Sequence, residues 1–177
     1  MTLYMFVDES KARAYVLAGV TCPTESLQAV RATLTDFLLP GQARLHFSKE
    51  RDHRRSAIIK SLISTQVRAV VIETPKKPTE IEARSRCLRN LVREAARFSV
   101  ARLLIERDTS MLALDQRLMA EMAWFGRRSE PLTYAWFGPS QEPLLWAADA
   151  FAWCWAAGGR WRSVVHDRVR YRHVGTT

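Results

Sequence analysis

Cysteine is scarce in this chain: Cys22, Cys87 and Cys154 are widely separated, with no Cys-x-x-Cys spacing and no paired histidines. A disulfide framework and a zinc site are therefore not indicated, and reduced thiols in a cytoplasmic protein are expected. Glycine is scarce too, at 7 residues of 177. None builds the phosphate-cradling loop of a P-loop or Rossmann unit, or the Gly-x-Ser-x-Gly elbow of acyl-transfer hydrolases. Nucleotide-driven and acyl-transfer chemistry lose ground accordingly. No apolar run reaches the roughly 18 residues of a membrane span, and the N-terminus lacks a basic stretch leading into an apolar one, so a soluble protein with no membrane partner is expected. Lysine is confined to Lys11, Lys49, Lys60, Lys76 and Lys77, so most of the 27 cations are arginine; against 18 acids they give a net charge of +9. That excess suits bidentate phosphate contacts and a polyanionic partner, DNA or RNA, although a GC-rich genome would also enrich arginine.

What the chain does have is apolar surface, 47% hydrophobic and 10% aromatic over 177 residues, enough for the core of one domain spanning 1–177. Two short apolar runs, 3–8 and 13–21, separated by a polar turn, read as an antiparallel hairpin. The spacing Leu27, Val30, Leu34, Phe37, Leu38 has helical period and stops before Pro40-Gly41. A basic helix follows as far as Ile63, with Ser48 as its cap. Val67 to Glu73 reads as a strand, and Pro75 to Pro78 as a loop. Thr79 and Glu82 form a capping box that opens a helix through Arg97, with Ile81, Leu88, Leu91, Val92 and Ala95 facing inward. Val100 to Glu106 is another strand, Leu112 to Met122 a helix, and Leu132 to Phe137 a last strand. Ser140 and Pro143 then start a final apolar helix. The segment from about 160 to 177, with Arg160, Arg162, Arg168, Arg170 and Arg172, reads as a basic tail, an arm or a frayed end. The order of elements predicts an α/β domain, a mixed β-sheet flanked by α-helices.

Acids stand in costly places. Asp8 and Glu9 end the apolar run Tyr4-Met5-Phe6-Val7, Glu106 ends a later strand with Asp108 just beyond it, and Asp149 interrupts Leu144-Leu145-Trp146-Ala147-Ala148-Asp149-Ala150-Phe151. Each needs a cation, a proton or a hydrogen bond to offset its loss of hydration. Phosphodiester hydrolysis by two Mg²⁺ or Mn²⁺ ions needs such carboxylates on rigid elements, one ion activating water and the other stabilising the leaving oxygen. Asp8, Glu106 and Asp149 are the expected ligands, with Glu9 and Asp108 as further candidates. For Asp8, Glu9, Glu106 and Asp108 a hairpin-turn, cap or solvated-loop role is the competing reading. For Asp149 it is an indole or arginine partner in the core.

His46 is a candidate proton shuttle to the leaving group, or a structural histidine. Lys11, Lys49, Arg51, Arg54 and Arg55 are candidates to grip a phosphate backbone, or a solvated face. The six tryptophans offer stacking surfaces for bases but are expected mainly to fill the core. The apolar, Trp-rich last helix would also suit a homodimer.

Three stretches resemble the domain of unknown function 3800 family, a group within the ribonuclease-H-like superfamily. They are Phe6-Val7-Asp8-Glu9-Ser10 with Tyr15 to Val20, then Leu45-His46-Phe47, then Pro143 to Trp153. The resemblance implies a ribonuclease-H-like sheet with Asp8 on the first strand and Asp149 on the last helix as metal ligands, Glu106 being the central-strand acid. It departs from the family pattern at Lys11, where glycine is usual, and at Trp146-Ala147-Ala148 in place of Gln-Leu-Ala.

Overall fold

The computed structural model describes residues 1–75, 79–125 and 131–175. Most of the loop expected at Pro75 to Pro78 lies outside them. Leu3–Ser10 (β1) and Tyr15–Pro23 (β2) form the expected hairpin, and Arg68–Thr74 (β3) pairs antiparallel with β2. Val100–Glu106 (β4) lies parallel to β1, and Thr133–Phe137 (β5) parallel to β4. The sheet order is β5-β4-β1-β2-β3-β6, where β6 is Val169–His173, parallel to β3.

Because β1 is interior, both its faces are covered. Phe6, Val16, Ala18, Val20 and Leu104 face one layer, built on the helix Pro143–Ala157 (α5) with Leu27–Thr35 (α1) and Asp52–Ile63 (α2). Met5, Val7, Tyr15, Leu17, Leu103 and Ile105 face the other, built on Glu80–Arg97 (α3) and Leu112–Met122 (α4). Helix α5 is buried nearly all round because it runs between the sheet on one side and α1, a 3-10 turn at Phe47–Lys49 and the short helix Gly159–Val165 (α6) on the other. Its first turn is pinned by Glu142, which accepts two hydrogen bonds from Arg31, at 3.0 and 2.7 Å, and one from the Leu144 amide. Gly19 of β2 has its α-carbon so close to the other layer that a β-carbon would lie 2.7 Å from Met5 Sδ and 2.8 Å from Leu91 Cδ1.

Several elements depart from the sequence reading. Ser48 does not cap the basic helix: it lies in the 3-10 turn, and α2 starts at Asp52 after Arg51. Ser140 does not cap α5; Glu142 does, its longer side chain reaching the free amide of the first turn. Ile81 is 56% exposed, because Arg84 takes the inward position of that part of α3. The tail is not a frayed arm. Gly158 and Gly159, with φ of 73° and 51°, break the chain between α5 and α6, and β6 then closes the edge of the sheet, Tyr171 packing on Trp155 at 4.9 Å between centroids. Its charged alternation concealed a strand, since edge strands carry charges of this kind.

Under the Met5–Leu17 face lies an ion network. Arg84, 1% exposed, makes two hydrogen bonds to Asp115, 0% exposed, at 2.7 and 2.6 Å, and one each to Glu9 and the Tyr15 hydroxyl. Removing one partner would strand a charge in the core. We expect Arg84→Met to destabilise the fold by about 3–5 kcal/mol, and Arg84→Met with Asp115→Leu to recover most of that loss. Urea denaturation of the two variants measures both.

Candidate active site

The backbone brings two acids to one place before any side chain is considered. Val7 of β1 is in register with Ile105 of the parallel β4, so the next residues, Asp8 and Glu106, stand side by side at the two strand ends. Phe6 and Leu104, two residues earlier, face α5, and strand alternation turns Asp8 and Glu106 the same way. Asp149, the single charged residue between Glu142 and Arg160, projects from α5 into that space.

Burial pushes the Asp8 carboxyl well above the ordinary carboxylate range, and the nearby carboxylates of Glu9, Glu106 and Asp149 push it further; one hydrogen bond from the Glu9 amide, at 2.8 Å, opposes them. Glu106 is also raised, chiefly by burial, although Arg44 on the loop after α1 stands 3.4 Å from its Oε1 and pulls the other way. Asp149 accepts a 2.9 Å hydrogen bond from the Phe47 amide, and His46 Nδ1 is 3.6 Å from the same Oδ2. The 3-10 turn is thus locked to α5 by the acid it faces. Arg55 holds the turn from behind, donating to the carbonyls of Phe47 and Ser48 and lying 4.3 Å from the centre of the Trp153 ring.

The other candidates divide. Glu9 follows the alternation to the opposite face, where Arg84 and Lys11 take its oxygens at 2.9 and 3.2 Å. Lys11 also reaches Glu80 and Asp108, at 2.6 and 3.2 Å, so it ties β1 to α3 and to the segment after β4 and is not free for a phosphate. Burial would raise Asp108, but the Ser110 hydroxyl and amide and the Lys11 ammonium outweigh it and hold its pKa at about 2. Arg54 is committed to Glu50 and the Phe37 carbonyl, both at 2.6 Å, and Arg55 to the turn, which removes both from the expected phosphate-gripping set. Lys49 and Arg51 remain exposed beside it. Trp146 and Trp155 are buried in the core, as expected of most of the tryptophans, whereas Trp124 is 62% exposed.

Arg44 was not singled out by the sequence reading; one arginine among many carries no local signal. Among the described residues, no three His, Cys, Asp or Glu side chains stand close enough to hold one metal ion as arranged. Glu106 is turned toward Arg44 and Asp149 toward the Phe47 amide. The donor chemistry nevertheless suits a hard divalent cation, since the site consists of carboxylate oxygens and Asp8 has no cation partner among the described residues. Rotations of Glu106 and Asp149 would be needed to complete it.

Neither protein-family profiles nor the sequences of characterised proteins match this chain. Among solved structures it is similar to a chain of the PCNA:RNase HII complex from Archaeoglobus fulgidus, with a TM-score of 0.56 and 17% identity over 85% of this chain and 70% of that one. A likeness at that identity shows the fold. The fold is ribonuclease-H-like: a mixed sheet of six strands with helices on both faces.

A carboxyl raised by burial and like charges costs stability wherever it must ionise. Asp8 binds its proton more tightly folded than unfolded, so it lowers stability as pH rises from the ordinary carboxylate value of 3.8 through the raised one. Asp8→Asn is therefore expected to raise the melting temperature near neutral pH, by roughly 2–4 °C for each kcal/mol relieved, and to lose that advantage below about pH 4. Thermal melts of both proteins across pH check the sign.

Proposed function

We propose that the chain is a divalent-metal-dependent nuclease that hydrolyses phosphodiester bonds of nucleic acid, and that it is a member of the domain of unknown function 3800 family. The observation that carries the reading is the approach of Asp149, on α5, to Asp8 and Glu106 at adjoining strand ends of a ribonuclease-H-like sheet, with Asp8 poorly solvated and without a cation partner among the described residues. Asp8, Glu106 and Asp149 would hold Mg²⁺ or Mn²⁺. The bound ion would supply a more acidic water and stabilisation of the departing oxygen. His46 lies beside Asp149 and would hold or pass a proton at Nδ1. Lys49 and Arg51, exposed on the rim, suit the phosphates of a bound strand, and the charge of +9 favours its approach.

The enclosure of Glu106 by Arg44, and of Asp149 by the Phe47 amide, favours a second reading, a nucleic-acid-binding module on the same fold with no turnover. Assays on DNA, RNA and hybrid oligonucleotides, with Mn²⁺ and with EDTA, separate the two. The nuclease reading expects metal-dependent cleavage that falls at least about 100-fold in Asp8→Asn and Asp149→Asn. Cleavage in EDTA, or full activity in both variants, would overturn it; salt-sensitive binding without cleavage would establish the second reading.

Arg44 and an ion would compete for Glu106. The ion pair is partly exposed, with side chains 34% and 22% accessible, so it is worth at most about 1 kcal/mol. Arg44→Ala should therefore tighten Mn²⁺ binding by no more than about fivefold. Electron paramagnetic resonance of free Mn²⁺ during titration measures this.

A further inference from the structure

A cavity of about 840 Å³ lies away from the acids. It lies at the other end of the sheet: Leu3 opens β1 and lines it, whereas Asp8 is five residues further along the same strand, about 16 Å away at the rise of a β-strand. Its walls combine two chemistries. Leu3, Val70 and Phe98 supply apolar surface, and Arg68, Arg168 and Arg170 supply charge, with no acid in the lining.

These cations are poorly compensated. Arg68 has no carboxylate partner among the described residues. The Arg168 guanidinium donates to a backbone carbonyl, that of Thr65, at 3.4 Å. Arg170 is ion-paired with Glu94, but that carboxylate is shared with Arg97 and Arg172, at 2.9, 2.7 and 2.9 Å respectively. Three arginines thus share the one carboxylate of Glu94, and Arg68 and Arg168 line the cavity without an acid of their own. Arg170 also lies 5.5 Å from the centre of the Phe98 ring, and Phe98 is 38% exposed, so a cation and an aromatic surface adjoin in the same wall.

We propose that this cavity is a nucleotide site, taking a phosphate on Arg68 and Arg168 and a base against Leu3, Val70 and Phe98. A volume of 840 Å³ is far larger than an inorganic anion needs and falls in the usual range for a small organic ligand. The paired requirement, negative charge with a flat apolar body, is met by a nucleoside monophosphate or by the phosphorylated end of a strand. The site is independent of the metal chemistry proposed at Asp8.

The test is calorimetric titration of the full chain, in EDTA so that no strand is cut. The probes are AMP, GMP, the parent nucleosides, inorganic phosphate, and a short oligonucleotide with and without a 5′-phosphate. A nucleotide or a 5′-phosphorylated strand should bind at least tenfold more tightly than inorganic phosphate or the unphosphorylated probe. Binding of the mononucleotide identifies a free metabolite as the source; binding of the phosphorylated strand alone identifies a strand end. Arg68→Gln with Arg168→Gln should weaken binding at least tenfold, while Asp8→Asn should leave it unchanged. Should the double variant not fold, methyl NMR of the wild-type protein replaces it, with nucleotide-induced shifts expected at Leu3, Val70 and Val169. No binding, equal binding of phosphate and nucleotide, or shifts confined to the surroundings of Asp8 would overturn the proposal. Failure here would leave the nuclease reading intact, and loss of metal-dependent cleavage would leave this site intact.

Discussion

Strand β1 is covered on both faces, and the alternation of its side chains decides what each of its acids becomes. Asp8 turns toward α5 and meets Glu106 and Asp149; Glu9, one residue on, turns toward α3 and meets Arg84. Two adjacent carboxylates therefore enter opposite electrostatic worlds. One is surrounded by like charge and loses hydration. The other is neutralised by a buried guanidinium that also serves Asp115 and Tyr15. The two are still mechanically joined, since the Glu9 amide donates to Asp8. Whatever fixes Glu9 in place also fixes the hydrogen bond that holds the Asp8 carboxyl.

The second constraint comes from α5. A helix buried nearly all round tolerates one acid only where a polar partner is supplied, and the Phe47 amide supplies it. This explains why the 3-10 turn is held from behind by Arg55 and packed among aromatic rings: Phe47 meets Trp153 at 5.4 Å and Trp161 at 6.4 Å between centroids. Arginines that look like a phosphate-binding face in one dimension are, in three, the struts of the loop that carries His46.

Much of the layout was legible from the chain itself. The hairpin, the strand ending at Glu106, the capping box at Thr79 and the acid in α5 all rest on local patterns, and local patterns survive folding. The pairing of Asp8 with Glu106 was legible only as an expectation, because parallel register between strands nearly a hundred residues apart leaves no local trace. What escaped had long-range causes. Arg84 sits inward because Asp115, 31 residues later, receives it. Lys11 is consumed by acids on two other elements. Arg44 acquires meaning only from Glu106, 62 residues away. The edge strand β6 was hidden by its own charges, since alternation of arginine with valine and tyrosine reads equally well as an unstructured basic segment.

That edge strand also sets an order of events during synthesis. β3 is complete at Thr74, but the neighbour that covers its open flank is not made until residues 169–173. While the roughly hundred residues between them are made, the backbone amides and carbonyls of Ala69 to Glu73 that face away from β2 have no strand to pair with, although those residues are apolar enough to attract one. At typical elongation rates that interval lasts from about five to twenty seconds. The nascent chain therefore passes through a stage in which one flank of β3 is an open template, and the arrival of β6 ends the exposure.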